Sequence, residues 1–296
     1  MTVDRVSVSL VGQRPAAGSR WLRSLSRAPL YVFMTILAAG FLFPFYTMVV
    51  GSFMDRADLF SLTPNLWPRQ LIVINYFELF EAMPFHRYIF NSLMVASIQT
   101  LGVLFFCSLS GFTFAKRRFP GRNVLLTFIL ATMMIPHQAT LIPWYLLMSK
   151  LGWLNTFLPL WVPWWSTAFG IFLMRQYIGA LIPDELMDAA TVDGCSLFGV
   201  YWRVVLPINV PGLTVLGILN FINAWNDFLY SLLVFTGELT RTAPLALALF
   251  LGSQTNSPRY NLMFAGSVLA TLPLVIVFFT FQRRLMEGVM AGAIKG

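Results

Sequence analysis

Pro183-Asp184-Glu185-Leu186-Met187-Asp188-Ala189-Ala190-Thr191-Val192-Asp193-Gly194, closed further on by Val205-Leu206-Pro207, is the most polar run in the second half of a very apolar chain. Four carboxylates fall within ten residues, between long hydrophobic segments. Proline is tolerated in a helix's first turn and acids there oppose the positive end of the macrodipole, so Pro183, Asp184 and Glu185 read as a helix start. Glu185, Asp188, Ala189 and Val192 then share one face. Gly194 can end the helix in a left-handed cap, Ser196 can cap a second helix, and Pro207 is expected to end the unit. A surface helix, a bend and a second helix held between two membrane spans have the form of an element gripped by a partner.

Working outward, the composition is that of a membrane protein. Of 296 residues 57% are hydrophobic and only 11% charged, and the apolar stretches approach the roughly 20 residues that a bilayer core demands. The net charge of +8 sits in short loops beside the spans. Membrane topology therefore explains it better than nucleic acid does. Cys107 and Cys195 fall on the inferred cytoplasmic half, where thiols stay reduced and a disulfide is not expected. Arg14, Arg20, Arg23 and Arg27 precede a span too long for a cleavable signal, which is read as an uncleaved anchor.

In chain order we expect an all-α, polytopic membrane protein of six transmembrane helices. A cytoplasmic N-terminal arm, 1–28, leads into a transmembrane domain, 29–282, and a cytoplasmic tail, 283–296. The spans are expected at about 29–52, 88–114, 123–147 (kinked by Pro136 and Pro143), 157–178, 209–235 and 261–281. An external loop with a short interfacial helix lies between the first two, the polar loop occupies about 180–207, and an outer loop covers 236–260. The loops and ends assigned to one side hold 14 of the 20 Lys and Arg residues and the other side six. The richer side is cytoplasmic, so both termini and the polar loop face the cytoplasm.

The loop resembles the EAA loop of ATP-binding-cassette importer permeases, a pattern of Glu-Ala-Ala, Asp-Gly and Leu-Pro. Here it reads Asp188-Ala189-Ala190-Thr191-Val192-Asp193-Gly194 and Leu206-Pro207, with aspartate where the family has its first glutamate. Further stretches are similar to the shorter permease of maltose-type carbohydrate importers: Gly111-Phe112-Thr113-Phe114-Ala115-Lys116-Arg117-Arg118-Phe119-Pro120-Gly121-Arg122, Leu151-Gly152-Trp153-Leu154-Asn155-Thr156, Trp225-Asn226-Asp227-Phe228 and the ending Gly288 to Gly296. The resemblance spans roughly 29–296 and implies a type I importer permease fold. It implies a coupling helix seated in a cleft of an ATPase, with Glu185, Asp188 and Asp193 as polar contacts and Ala189, Ala190 and Gly194 allowing close backbone approach; Leu206 and Pro207 complete the loop. Implied partners are a second permease in a heterodimer, two ATP-binding-cassette ATPase subunits, an extracytoplasmic solute-binding protein and membrane lipid, in a bacterial or archaeal cytoplasmic membrane. ATP and Mg would be bound by the ATPase and no cofactor by this chain.

Other features have two readings each. The loop helix could instead lie on the membrane surface, although its acidic face suits a protein groove better than anionic lipid. Asn220, Asn223, Asn226 and Asp227 make a polar stripe on the fifth span, with Trp225 beside it. Polar groups at membrane depth face a partner or a water-filled path, so the stripe either holds the bundle together or lines a translocation path. Gly252, Ser253, Gln254, Thr255, Asn256 and Ser257 form an outer loop that the resemblance directs to the binding protein; a plain solvent loop reads equally well. Trp161, Trp164 and Trp165 look like an interfacial belt at the external start of the fourth span. His86 and His137 are far apart, and no His or Cys cluster points to a metal. No Gly-Lys pair occurs, so the chain has no P-loop and is not itself the ATPase. No nucleophile–base constellation is visible, so we expect no catalytic residue. A self-sufficient secondary transporter is the alternative, and it would require buried ionisable residues for ion coupling.

Overall fold

The computed structural model describes residues 18–61, 65–253 and 259–293, with side chains over 29–61, 65–253 and 259–282. Every regular element among them is helical. Helix α1 (Gly18–Gly51) begins inside the expected arm and carries Pro29 and Pro44; its apolar window from Pro29 is unburied by the rest of the chain. The external section folds as the short helix α2 (Ile74–Ala82). It leads into α3 (Phe85–Lys116), the long central helix.

Small residues bring other helices against α3. A methyl group at Gly111 would lie 2.5 Å from Met174 Cβ, one at Gly170 would lie 2.7 Å from Cys107 Sγ, and one at Gly102 would collide with the Trp165 indole. Close backbone approach is what replaces a hydrophobic driving force between helices in lipid. The helix so admitted is α6 (Ala168–Leu181), and Thr167 caps its start by accepting from Gly170 N at 3.1 Å.

The third and fifth expected spans are broken. Helix α4 (Arg122–Ala131) and its last turn to Met134 stop at Ile135-Pro136, and His137–Lys150, which contains α5 (Leu141–Lys150), leaves at 94°. Ile135 is extended, as sterics demand before proline. Pro143 lies in the first turn of α5 and causes no break. The expected fourth span is built from the turn Leu158–Trp161 and α6, whose 14 residues make about 21 Å against a core of ~30 Å. The fifth, α8 (Val210–Trp225), is bent by 79° from Leu197–Ile208 before it and stops at Asn226-Asp227 before α9 (Leu229–Val234). Among the described residues three helices are long and apolar enough to cross a membrane, or up to five counting each bent pair as one. The bend at Ile135-Pro136 falls at one of the two expected kink sites, whereas the bend at Asn209 was not expected.

The expected outer loop contains a helix, α10 (Ala243–Ser253), with Ala243, Leu245, Ala246 and Leu247 buried. Ser92 Oγ on α3 accepts from Ala243 N at 2.8 Å and fixes its start. The chain closes with α11 (Tyr260–Ala293), bearing Pro273.

Candidate functional site

The polar loop folds around two capping residues. Pro183 is extended at φ −63°, ψ 150°, and helix α7 (Asp184–Val192) starts immediately after it with Asp184 and Glu185 in its first turn. Gly194 takes φ +83°, a conformation open to glycine at little cost. This lets Gly194 N and Cys195 N bond back to Thr191 O and Ala190 O, both at 3.0 Å. Ser196 Oγ then accepts from Gly199 N at 3.2 Å and starts the next helical stretch. That stretch runs on to Ile208 through a widened turn, Tyr201–Val205. Pro207 does not end the unit as expected. It sits inside the helical stretch that ends at Ile208, and the break comes at Asn209.

Helix α7 has two faces. Glu185, Asp188, Ala189 and Val192 point to solvent, Val192 being 88% exposed, and Asp193 and Gly194 are exposed beside them. Met187 and Ala190 point inward and join a core with Phe112, Ile178 and Tyr201. Ala190, expected to ease approach of an ATPase, instead eases approach of α7 to its own bundle. Leu206 is half-buried against the same core and Pro207 is exposed.

Two links tie the loop to α3. Tyr201 is fully buried, its hydroxyl 2.8 Å from Ser108 Oγ and its ring 5.8 Å from that of Phe112. Lys116 Nζ, on the last residue of α3, donates to Asp184 Oδ1 at 2.7 Å. That hydrogen bond and the Lys116 charge, with a smaller contribution from Arg118, hold the Asp184 carboxyl below the ordinary carboxylate range. Sequence reasoning named neither Lys116, Asp184 nor Tyr201 as a site residue. A packed aromatic and an ion pair thus join the loop to the central helix.

The polar stripe divides. Asn220 Nδ2 donates to Thr100 Oγ1 of α3 at 3.0 Å, an interhelical tie. Trp225 is 2% exposed, stacks on Phe221 and donates to Ala270 O at 3.1 Å. It is a packing residue and is unavailable to a solute. Asp227 caps α9, accepting from Tyr230 N, Ser231 N and Ser231 Oγ at 3.4, 3.0 and 2.9 Å. Asn226 is exposed. Asn223 and Asp227 reach a cavity of about 220 Å³ that is also lined by Gln99, His137, Trp164 and Tyr230.

Two adjoining cavities, each about 370 Å³, share His137 and Trp164 with it. Trp164, expected in an interfacial belt, thus lines all three cavities. It stands with Trp165 near the midpoint of α3, opposite Gln99 and Gly102. The signals that could have found this site were a glutamine halfway along an apolar helix and a histidine directly after Ile135-Pro136.

Of the outer loop, Gly252 and Ser253 form the exposed end of α10, with Ser253 Oγ donating to Phe250 O. Gln254, Thr255, Asn256 and Ser257 lie outside the described residues, as do the side chains of the arm and tail. Among the described residues no three His, Cys, Asp or Glu gather as for a metal, and Cys107 and Cys195 are unpaired.

Comparison with known proteins places this geometry. The chain is 32% identical over 276 residues to the arabinooligosaccharides transport system permease protein AraQ of Bacillus subtilis, covering 92% of this chain and 97% of AraQ. It is 33% identical to the trehalose/maltose transport system permease protein MalG of Thermococcus litoralis, covering 92% and 98%. Its fold matches a chain in the crystal structure of a bacterial ABC transporter involved in import of the acidic polysaccharide alginate, with a TM-score of 0.78, 22% identity, and coverage of 90% and 98%. Residues 108–290, from α3 through the polar loop and into α11, match the family described as binding-protein-dependent transport system inner membrane component, and the chain belongs to that family.

Proposed function

We propose that this chain is a permease subunit of an ATP-driven carbohydrate importer, forming half of its translocation path. The partners are a second permease, two ATPase subunits that bind ATP and Mg, and an extracytoplasmic solute-binding protein. ATP hydrolysis belongs to the ATPases and none to this chain. Both termini lie in the cytoplasm of a bacterial or archaeal cell. The arabinooligosaccharides of AraQ and the trehalose and maltose of MalG support carbohydrate as the cargo.

The observation that carries the reading is the double character of α7. Its outer face is acidic with one projecting valine, suited to a protein cleft, and its inner face is packed against the membrane bundle. A helix built this way converts closure of an ATPase dimer into movement of α3 through Tyr201 and Lys116. The bundle then needs two arrangements that differ by only a few kcal/mol. The path opens to the outside while the ATPases are closed, receives sugar from the docked binding protein, and returns to the inward-open form after hydrolysis.

Co-purification in mild detergent tests this. Recovery of an ATPase and a second permease with the chain is expected. Uptake in vesicles should persist with a proton ionophore when ATP is held constant. A chain that purifies alone and moves solute without ATP would overturn the reading in favour of a secondary transporter.

A further inference from the structure

Resting on the importer reading above, we infer that this chain itself holds one ring of a neutral sugar in the mid-membrane cavity, with Trp164 as the stacking platform and Gln99 and Asn223 as hydrogen-bonding groups.

Gln99 supplies the first reason. Five polar side chains are buried on α3, and four have protein partners. Asn91 donates to Leu239 O and Arg241 O, and Ser92 accepts from Ala243 N. Thr100 accepts from Asn220, and Ser108 pairs with Tyr201. Gln99, 5% exposed, has no hydrogen bond to any described residue, and its side chain lines two of the three cavities. A buried amide at membrane depth requires a partner, and here the partner must come from the cavity. Asn223 lines the same two cavities across from it and is likewise free of hydrogen bonds among the described residues.

Trp164 supplies the second. Its ring meets Tyr230 edge-on at 4.8 Å, and Tyr230 in turn meets Trp144 edge-on at 4.8 Å. His137 lies 5.5 Å from Trp164 on the cavity side. This bracing fixes an aromatic face that is a wall of all three cavities. A pyranose or furanose presents a C–H face suited to an aromatic ring and a rim of hydroxyls suited to amides. The backbone agrees: irregular chain at membrane depth persists where it lines a water-filled space, and the Ile135-Pro136 break delivers His137 to this one.

Charge decides the class of sugar. No lysine or arginine is among the residues lining the three cavities, and their one carboxyl, Asp227, is occupied in capping α9. A uronate would meet no lysine or arginine from this chain, and an unpaired buried charge is costly. A neutral sugar meets no such barrier, although the matching fold from the alginate importer handles an acidic polymer.

The test uses the complete transporter with its binding protein in proteoliposomes, offered labelled arabinotriose, maltotriose and a mannuronate trisaccharide. Sugar imported per ATP hydrolysed is read for Gln99→Leu, Trp164→Ala and Trp164→Phe. We expect a neutral trisaccharide to be imported. Gln99→Leu and Trp164→Ala should lower import per ATP about tenfold, with binding-protein-stimulated ATP hydrolysis intact, which certifies folding and assembly. Trp164→Phe should retain most import. Unchanged import per ATP in both Gln99→Leu and Trp164→Ala would overturn the subsite while leaving the importer standing, as would uronate import at the neutral rate. Stimulated ATP hydrolysis with no import of any trisaccharide by the unaltered protein would sink the carbohydrate reading and the subsite together.

Discussion

The polar loop around α7 and the cavity beside the middle of α3 are both polar islands in an apolar bundle, yet they are built in opposite ways. The loop satisfies itself locally: Gly194 returns the α7 carbonyls' hydrogen bonds, Ser196 starts the next helix, and Lys116 neutralises Asp184. The cavity gathers Gln99, His137, Trp164 and Asn223 from four distant segments and leaves the amides of Gln99 and Asn223 unspent. A docking surface must keep its shape through a transport cycle, whereas a path must offer bonds that a passing solute takes up and gives back. The difference in hydrogen-bond saturation follows from that difference in task.

The comparison breaks most visibly at Gly194. A tryptophan there has space, since nothing lies within 4 Å of the added carbon, but a side chain at φ +83° is strained by about 1–2 kcal/mol and projects from the docking face. Gly194→Trp is expected to lower recovery of the ATPase on co-purification at least tenfold, about 1.4 kcal/mol or more, while the chain still reaches the membrane. Next comes Trp225, which sharpens the contrast because it lies near the cavity yet is packed away from it. Trp225→Ala should destabilise the chain by about 3–5 kcal/mol, read as a lower unfolding temperature in detergent, without a selective change in the sugar concentration for half-maximal transport. Asn220→Ala removes one interhelical bond and should cost only ~0.6 kcal/mol by the same unfolding measurement.

The smallest effect is confined to acid. Because the Asp184 carboxyl is held below its ordinary range, its link to Lys116 is fully present above the ordinary carboxylate value. The link is lost as pH falls through the lower folded-state value. Stability should therefore show an acid-side loss that Lys116→Met abolishes, and no change near neutrality. Asp184 is largely exposed, so the loss is slight and screened by salt.

What the sequence revealed tracks the same division. Pro183, Asp184, Gly194 and Ser196 act on neighbours in the chain, so their spacing reads directly as helix, bend and helix. The direction of Ala190 was not legible, because which side of a short amphipathic helix meets the bundle depends on where Phe112 and Tyr201 stand. Hydropathy marked where apolar chain lies and Pro136 marked a kink, but neither its size of 94° nor the 79° bend at Asn209 was legible. Trp225 drew notice as an aromatic beside a polar stripe, but its ring turns to Ala270 and Phe221. Gln99 did not stand out in sequence beside Ser97 and Thr100, because only the folded partners of the other buried polar groups on α3 set it apart.

The most direct test of the account concerns Val192, the exposed apolar residue on the outer face of α7. A photo-crosslinking amino acid placed at position 192, in membranes containing the intact transporter, reads out what that face touches. The account predicts capture of a P-loop ATPase subunit, in a yield that changes between nucleotide-free and ATP-bound states. Capture of lipid alone, in a transporter that still hydrolyses ATP and imports its solute, would contradict the assignment of α7 as the coupling helix.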